Sequence, residues 1–502
     1  MGVSAKVLCA VLLVPILLVV HRRANPLHSI PTIGPSAPLL SYVGAYRYAR
    51  SARAMLQEGY NKYKVFKVAL WDQWLVVVSG AEMNEELRKL PDEVMSFTDA
   101  THELMQVQYT IGQELIDHPI DVIAIRGHLT RNLANLYPDI VDEVNVSLRD
   151  LISIQGNEWT NVPGFKTMMQ TVARAGNRVF VGLPFCRDTE FLEIPMNFTV
   201  DVMKGKTIIS TFPKPLQPIV GRLLPWSRNA KQRIASYLQP VVEERIRKLK
   251  AHDGEWTDKP NDLLMAHIEE AMKVGQSIDL IVQAFLGTNF GALHTSSISL
   301  AHALFHLAAS PEYAQPLRDE IEGIVKQDGW TKLAFGKMWK LDSFMKESQR
   351  VNGVGAMAIL RKAAVDVTLS DGTHVPAGTF VVASASATHR DKDCYDDPDS
   401  FRPFRFSDMR AAAGEQVKHQ FVTTSPEYIP FGHGKHACPG RFFATNVLKV
   451  ALACILVNYD VKFEDEGNRP ENMWYGTAIL PSRTAQVLFR KRQDHRVQGE
   501  SE

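Results

Sequence analysis

Ten residues, FGHGKHACPG from Phe431 to Gly440, put a thiol, two imidazoles, three glycines and an aromatic ring into one loop. Four chemistries can be built from them. A zinc site would use His433, His436 and Cys438, but the spacing is cramped, no second Cys/His cluster lies nearby, and the glycines would have no task. A nucleophilic thiol would need His436 as its base. A buried, inert cysteine needs none of these neighbours. An axial thiolate on a haem iron accounts for more of the loop. Gly432, Gly434 and Gly440 would let backbone approach a flat macrocycle and turn N–H groups toward the sulfur. Phe431 would cover the ring, and His436 would hydrogen-bond a propionate.

Such a thiolate has to be stabilised. The apolar run RFFATNVLKVALACILVNYD starts directly after Gly440, so the N–H groups and dipole of a helix start would face the sulfur. A second apolar element, Leu280 to Ala309, runs for thirty residues without Asp, Glu, Lys or Arg. As a helix it would be about 45 Å long. Gln283, Asn289, His294, Ser296, Ser297, His302 and His306 are spread round it, too much polarity for a lipid-facing span, so the expectation is a helix buried in a large core. Helical signals dominate elsewhere. SPEYAQPLRDEIEGIVKQDG offers Ser310 as N-cap, Pro311 at the first helical position and Gly329 past the end. Strand-like runs are short and few: WLVVVSG, HVPAGTFVVAS and AQVLFR. The fold expected is mainly α with minor β, in a single large domain.

The pattern F-G-x-G-x-H-x-C-x-G, met at every defined position, resembles the haem-binding signature of the cytochrome P-450 family. The resemblance implies Cys438 as iron ligand. It also implies a Glu-x-x-Arg upstream, which Glu347 and Arg350 in FMKESQRV match. Glu85/Arg88, Glu244/Arg247 and Glu466/Arg469 match that short pattern too. Only Glu347 lies 91 residues before the cysteine and is followed by DPDSFRPFRF, whose Arg405 resembles the arginine that joins the family's Glu–Arg pair. These three are read as structural. GALHTSS then resembles the oxygen-side stretch of the family's long central helix. Gly291 and Ala292 would leave room for oxygen, Thr295 would position a proton-donating water, and His294 stands where the family usually has an acid. Arg126, with Val122 in place of the usual tryptophan, and Arg361 are the further propionate candidates; Gly353 replaces a frequent proline.

What the resemblance implies is monooxygenation of a hydrophobic substrate by a haem-thiolate cofactor. No flavin or nicotinamide segment follows, so electrons are expected from NADPH through a separate flavin-containing cytochrome reductase, with Lys435 and Arg441 near the docking face. Expected pocket walls are Met105, Tyr109, Phe290, Leu293, Val354, Met357, Ala478 and Ile479. GALHTSS, ESQRVN and RPENMWYGTAILPSRTAQVLFRKR resemble fungal members of the ent-kaurene oxidase type, which act on diterpenes and related terpenoids; steroid, triterpenoid and indole-linked skeletons fit as well. A haem sensor without turnover and a redox-independent isomerase or dehydratase are the alternatives.

The remaining features set the context. The chain has 502 residues, a formal net charge of +1 and 45% hydrophobic residues, which leaves no basic footprint for nucleic acid. Five scattered cysteines form no CxxC pair, an arrangement suited to a reducing compartment. Val7 to Val20 is uncharged and apolar, with Lys6 before it and His21-Arg22-Arg23 after it. Residues 1–21 are therefore expected to form a single-pass anchor in the endoplasmic reticulum membrane with the remainder cytoplasmic. Sequons at Asn145 and Asn197 would then be silent. Residues 22–45, rich in proline, read as a linker, and 46–502 as the catalytic domain.

Overall fold

The computed structural model describes residues 27–37, 39–154, 156–252, 256–275 and 277–493. The expected anchor, residues 1–21, lies outside them. The structure is mainly helical. Its principal helices are α1 (Gly80–Lys89), α2 (Ile120–Ala124), α3 (Thr130–Leu151), α4 (Gly164–Phe180), α5 (Thr189–Thr211), α6 (Trp226–Ala251), α7 (Ile278–Ala309), α8 (Trp339–Val351) and α9 (Arg441–Asn458).

The uncharged segment forms α7, 32 residues long, packed against α4, α5, α6, α8 and α9. Several of its polar side chains stay buried because they find partners. The Asn289 carboxamide accepts from Asn177 Nδ2 (3.1 Å) and donates to the Phe285 carbonyl (3.0 Å). His302 Nδ1 meets Arg469 Nη2 at 2.7 Å, and His306 Nε2 meets Asn352 Nδ2 at 2.7 Å while its ring stacks on Phe401. Downstream, Pro311–Tyr313 forms a 3-10 turn and the helix proper runs Ala314–Asp328, closed by Gly329 at φ +67°. The Ser310 side chain makes no cap hydrogen bond.

The main sheet has five strands: β1 (Val65–Ala69), β2 (Trp74–Val78), β3 (Met95–Ser96), β4 (Met357–Ala363) and β5 (Phe380–Ser384), in the order β1-β2-β5-β4-β3. Only the β2/β5 pair is parallel. Of the three strand-like runs, WLVVV is β2, FVVAS is β5, and Gln486–Lys491 lies between Thr160–Pro163 and Tyr459–Lys462 in a three-stranded sheet. β1 and β4 carry weaker patterns and are legible only from the structure.

The C-terminal half of the proline-rich segment belongs to the fold. Leu27, Ile30 and Ile33 are buried, Ile33 N–H donates to the Lys67 carbonyl (3.0 Å), and Lys67 N–H donates to the Pro31 carbonyl (2.8 Å). The prolines hold this stretch extended, which lets it lie along β1. Helix Ser41–Lys62 also starts before residue 46.

Among the described residues one helix, Arg441–Asn458, is long and apolar enough to cross a membrane. It is α9, and 72% of it is buried inside the protein behind the cysteine loop. Its apolarity is that of a core helix.

Candidate active site

The cysteine loop is closed by its own backbone. Cys438 N–H donates to the Phe431 carbonyl (2.7 Å), Gly432 N–H to the Ile429 carbonyl (3.0 Å), and Ala437 N–H to the Gly434 carbonyl (3.0 Å). Gly432 and Gly434 sit at φ +68° and +76°, the left-handed region. Gly434 is fixed twice over, since a Cβ there would run into the Arg88 side chain of α1. Gly440 leads into α9, and the Cys438 sulfur accepts the N–H groups of Gly440 and Arg441. Burial pushes the thiol pKa up, and those N–H groups with the Arg441 guanidinium oppose it. Cys438 keeps accessible surface because it opens on an internal cavity.

A buried ionic cluster holds this loop from behind. Glu347 and Arg350 side chains are fully buried and joined twice, Arg350 Nε and Nη2 each donating at 2.7 Å. Arg405 Nε donates to Glu347 Oε1 at 3.2 Å, and the Arg402 N–H reaches the same oxygen at 3.0 Å. Arg350 Nη1 also donates to the carbonyls of His389 (2.6 Å) and Pro398 (2.7 Å). From His389 the connection returns to the loop: Ile429 N–H donates to His389 Nε2 at 3.1 Å. Burial, reinforced by the Arg350 charge, pushes the His389 pKa down to about 3, which keeps that nitrogen an acceptor. The other Glu-x-x-Arg sequences are different. Glu85–Arg88 and Glu244–Arg247 are exposed or half-exposed i,i+3 pairs, while Glu466 pairs with Lys462 and Arg469 with His302.

Two adjoining cavities meet at the sulfur, sharing Val122, Pro430, Phe431, Cys438 and Pro439. One, of about 310 Å³, extends to α7; the other, of about 400 Å³, extends to β4 and holds Arg126, Arg361 and His436. Arg361 is 2% exposed, yet its Nε has no hydrogen-bond partner among the described residues. A bulge between Ala358 and Arg361, with Ile359 at φ +50°, departs from the regular strand to place it there. His436 Nε2 lies 2.6 Å from Asp92 Oδ1, and its ring stacks on Phe97. Burial and the Arg361 charge both push its pKa down, against Asp92. A sulfur donor facing the cavity, a buried guanidinium with an unpaired N–H on its wall, and largely apolar sides fit haem with its carboxylates toward Arg361. They fit zinc poorly. His433 engages Thr424 (2.9 Å) and His436 engages Asp92, and no group of three metal-ligating side chains occurs among the described residues.

Opposite the sulfur, α7 presents its small residues. Gly287, Thr288, Gly291, Ala292, Thr295, Ser296 and Ser299 line the first cavity. Thr295 Oγ1 donates to the Gly291 carbonyl at 2.8 Å, four residues back, and its remaining surface faces the cavity. His294 does not join Thr295. Its Nε2 lies 2.9 Å from the Met196 carbonyl of α5, and burial there pushes its pKa down.

Of the expected pocket residues, Val354 lines the first cavity and Met357 the second. Leu293 packs toward Gly176 of α4, and Tyr109 lies against Gly221. Neither these nor Met105, Phe290, Ala478 and Ile479 line either cavity. A helix turns about 100° per residue, so Phe290 and Leu293, each one step from a lining residue, face elsewhere. Ile479 N–H donates to the Val354 carbonyl (3.2 Å) and supports that wall from behind. Sequence reasoning passed over Asp121, Ile125, Leu129 and Phe180 on the same cavity. The i, i+4 recurrence of small residues at 287, 291, 295 and 299 was a usable signal; Asp121, beside the quoted Val122, had none.

Comparison with known proteins agrees with this arrangement. Residues 31–489 match the family described as cytochrome P-450. Cytochrome P-450 monooxygenase 151 of Postia placenta is 56% identical over 473 residues, covering 94% of this chain and 95% of the relative. The cytochrome P-450 monooxygenase CYP512U6 of Ganoderma lucidum is 38% identical, covering 98% and 97%. Among solved structures, retinoic acid bound cyanobacterial CYP120A1 shares the fold, with a TM-score of 0.66 at 18% identity over 87% of this chain and 94% of that one. A thiolate loop at a helix start, the buried Glu–Arg cluster behind it, the cavity it opens on and the match over nearly the whole sequence lead to one conclusion: the chain belongs to the cytochrome P-450 family, is related to fungal monooxygenases of that family, and is a haem-thiolate monooxygenase.

Proposed function

We propose that this chain inserts one oxygen atom from O₂ into an apolar, terpenoid-type (diterpene-like) substrate in fungal secondary metabolism, with electrons from NADPH through a separate reductase. The observation that carries the reading is the cavity shared by the Cys438 sulfur and the small-residue face of α7, walled by Val122, Ile125, Leu129, Phe180 and Val354. Such walls suit a rigid hydrocarbon skeleton. Haem bound through Cys438 supplies the activation of dioxygen and the oxidation of an unactivated C–H bond. The protein supplies the rest. Cys438 would hold the iron, and Arg361, Arg126 and His436 would hold the carboxylates. Gly432 and Gly440 keep the backbone close, and Phe431 shields the sulfur side. Gly291 and Ala292 would leave room across the cavity from the sulfur, and Thr295, whose own proton goes to the Gly291 carbonyl, would accept a hydrogen bond from a proton-bearing water there.

The catalytic domain sits at the endoplasmic reticulum membrane, facing the cytoplasm, anchored through residues 1–21. Leu39, Leu40, Val43 and Tyr46 stand exposed near the N-terminal end of the described residues, which supports a lipid-facing approach. The test combines the full chain with NADPH-cytochrome reductase, NADPH, isotopically labelled O₂ and a panel of diterpene, triterpenoid, steroid and indole-linked substrates. A terpenoid product carrying one labelled oxygen, formed only with NADPH, is expected. Turnover of a different skeleton alone would overturn the substrate reading. Conversion without NADPH would favour an isomerase or dehydratase instead.

A further inference from the structure

Arg469, in the loop before the strand Met473–Tyr475, is a half-buried cation whose hydrogen-bond partners among the described residues are the Pro470 carbonyl, Asn472 and His302. None of them is a carboxylate. Burial pulls its pKa down to about 10, so it stays charged at neutral pH. A guanidinium can only donate, and that fixes the direction of every bond that follows. On one side Nη1 donates to Asn472 Oδ1 at 2.9 Å. Asn472 Nδ2 then donates to Asn352 Oδ1 at 2.6 Å, and Asn352 Nδ2 to His306 Nε2 at 2.7 Å. On the other side Nη2 donates to His302 Nδ1 at 2.7 Å. This leaves His302 Nε2 protonated, to donate to the Ile479 carbonyl at 3.4 Å. His302, His306 and Asn352 are buried.

Both arms of this relay end at the cavity wall. Asn352 closes α8, and two residues on, Val354 lines the α7 cavity. The strip from Val354 to Ala356 is pinned to the hairpin of Met473–Tyr475 and Ala478–Leu480. Ile479 N–H donates to the Val354 carbonyl (3.2 Å) and Ala356 N–H to the Thr477 carbonyl (2.8 Å). His302 and His306 stand on α7 about one and two turns beyond Ser299, which lines the same cavity. A guanidinium without a counter-charge is a costly occupant here, and an apolar side chain of similar volume would fill the space at less cost. What the charge adds is one fixed orientation for two amides and two imidazoles. We infer that Arg469 is a positioning residue. Through Asn472 and Asn352 on one side, and His302 and Ile479 on the other, it holds Val354 in place against α7 and so sets the shape the cavity accepts. The inference rests on the proposed reading of that cavity as the substrate's place.

The test titrates the haem-loaded full chain with imidazole and with 1-adamantylimidazole, two iron ligands that differ in the bulk they carry into the cavity. The readout is the ratio of their affinities, taken from the ligand-induced shift of the haem band. Val354→Ala is the reference variant, expected to move that ratio by about tenfold, the worth of a small change in an apolar wall. Arg469→Met keeps the bulk of the side chain and removes its donors. It is expected to move the ratio in the same direction by about threefold or more, and to add less than about twofold in the Val354→Ala background. Asn472→Ala breaks the relay at a half-buried residue and leaves the charge in place. It is expected to follow Arg469→Met to a smaller degree, and it decides the matter if Arg469→Met fails to take up haem. A lower melting midpoint with an unchanged ratio in both variants, each with an intact carbon-monoxide difference band, would overturn the positioning role. Full additivity of Arg469→Met with Val354→Ala would overturn it as well, since the relay would then act elsewhere. Both results leave the reading of the cavity standing. A wild-type ratio in Val354→Ala itself would overturn that reading, and the inference with it.

Discussion

Replacing Glu347 by Gln removes one negative charge from a cluster whose partners cannot reach water. Glu347 accepts four hydrogen bonds, two from Arg350, one from Arg405 and one from the Arg402 backbone. The side chains of Glu347 and Arg350 are 0% exposed and that of Arg405 is 7% exposed. After the substitution two guanidiniums face a neutral amide. Breaking a buried pair from one side costs about 3–5 kcal/mol. With an unfolding entropy of about 2.1 cal/mol/K per residue, a domain of this size unfolds about 3–5 °C lower for that loss. Haem retention falls with it, because Arg350 also holds the His389 carbonyl and His389 Nε2 holds the Ile429 N–H that begins the cysteine loop. Glu85→Gln is the internal control. It breaks the same sequence pattern at a pair whose side chains are 28% and 32% exposed, where an ion pair contributes about 0–1 kcal/mol. The assay is a melting curve and a haem-to-protein ratio on all three proteins. If Glu347→Gln melts within about 1 °C of wild type with full haem, or if Glu85→Gln matches it, the argument that burial separates the two sites is refuted.

Arg361→Gln removes the buried guanidinium with an unpaired N–H; haem content after purification is expected to fall several-fold while the apoprotein keeps its far-ultraviolet spectrum, and full haem loading would count against a propionate role. Gly434→Ala meets both a positive φ and the Arg88 side chain; it should cost about 1–3 kcal/mol, read as a lower melting midpoint, and no change would show that the loop adapts. Three buried histidines, His267, His302 and His389, have pKa values pushed down by burial to about 3. The unfolded chain takes up those protons near pH 6.5 and the folded chain does not, so their stabilisation is complete above pH 6.5 and is lost as pH falls toward 3. The melting midpoint should decline steadily across that window, and a flat profile would refute the sign.

The cysteine loop and its helix were legible because the chemistry there constrains residue type at nearly every position. Glycine is needed at 432 and 434 by backbone conformation, and an apolar helix must follow Gly440. The buried cluster was legible only through the order of the motifs, since four sequences matched Glu-x-x-Arg and the burial that sets them apart physically shows only in the fold. The pocket was mostly illegible. Phe290 and Leu293 are apolar and adjacent to the small residues, but one step of helical rotation turns them to other faces. His294 fills an acid's place in the pattern, yet the Met196 carbonyl holds it outside the cavity. Asp121 went unread because nothing local marks an acid as facing a cavity; that is a tertiary fact. Residues 22–45 read as linker from their prolines, whereas the same stiffness lets Pro31 to Ile33 within them pair with Lys67.

The absorption spectrum of the reduced, carbon-monoxide-bound full chain, taken beside Cys438→Ala, bears most directly on the identity of the iron ligand. The Soret band displaced to the red that marks thiolate-ligated haem is expected in wild type and lost in the variant. A wild-type band at the position given by a nitrogen ligand, or a displaced band that survives Cys438→Ala, would contradict it.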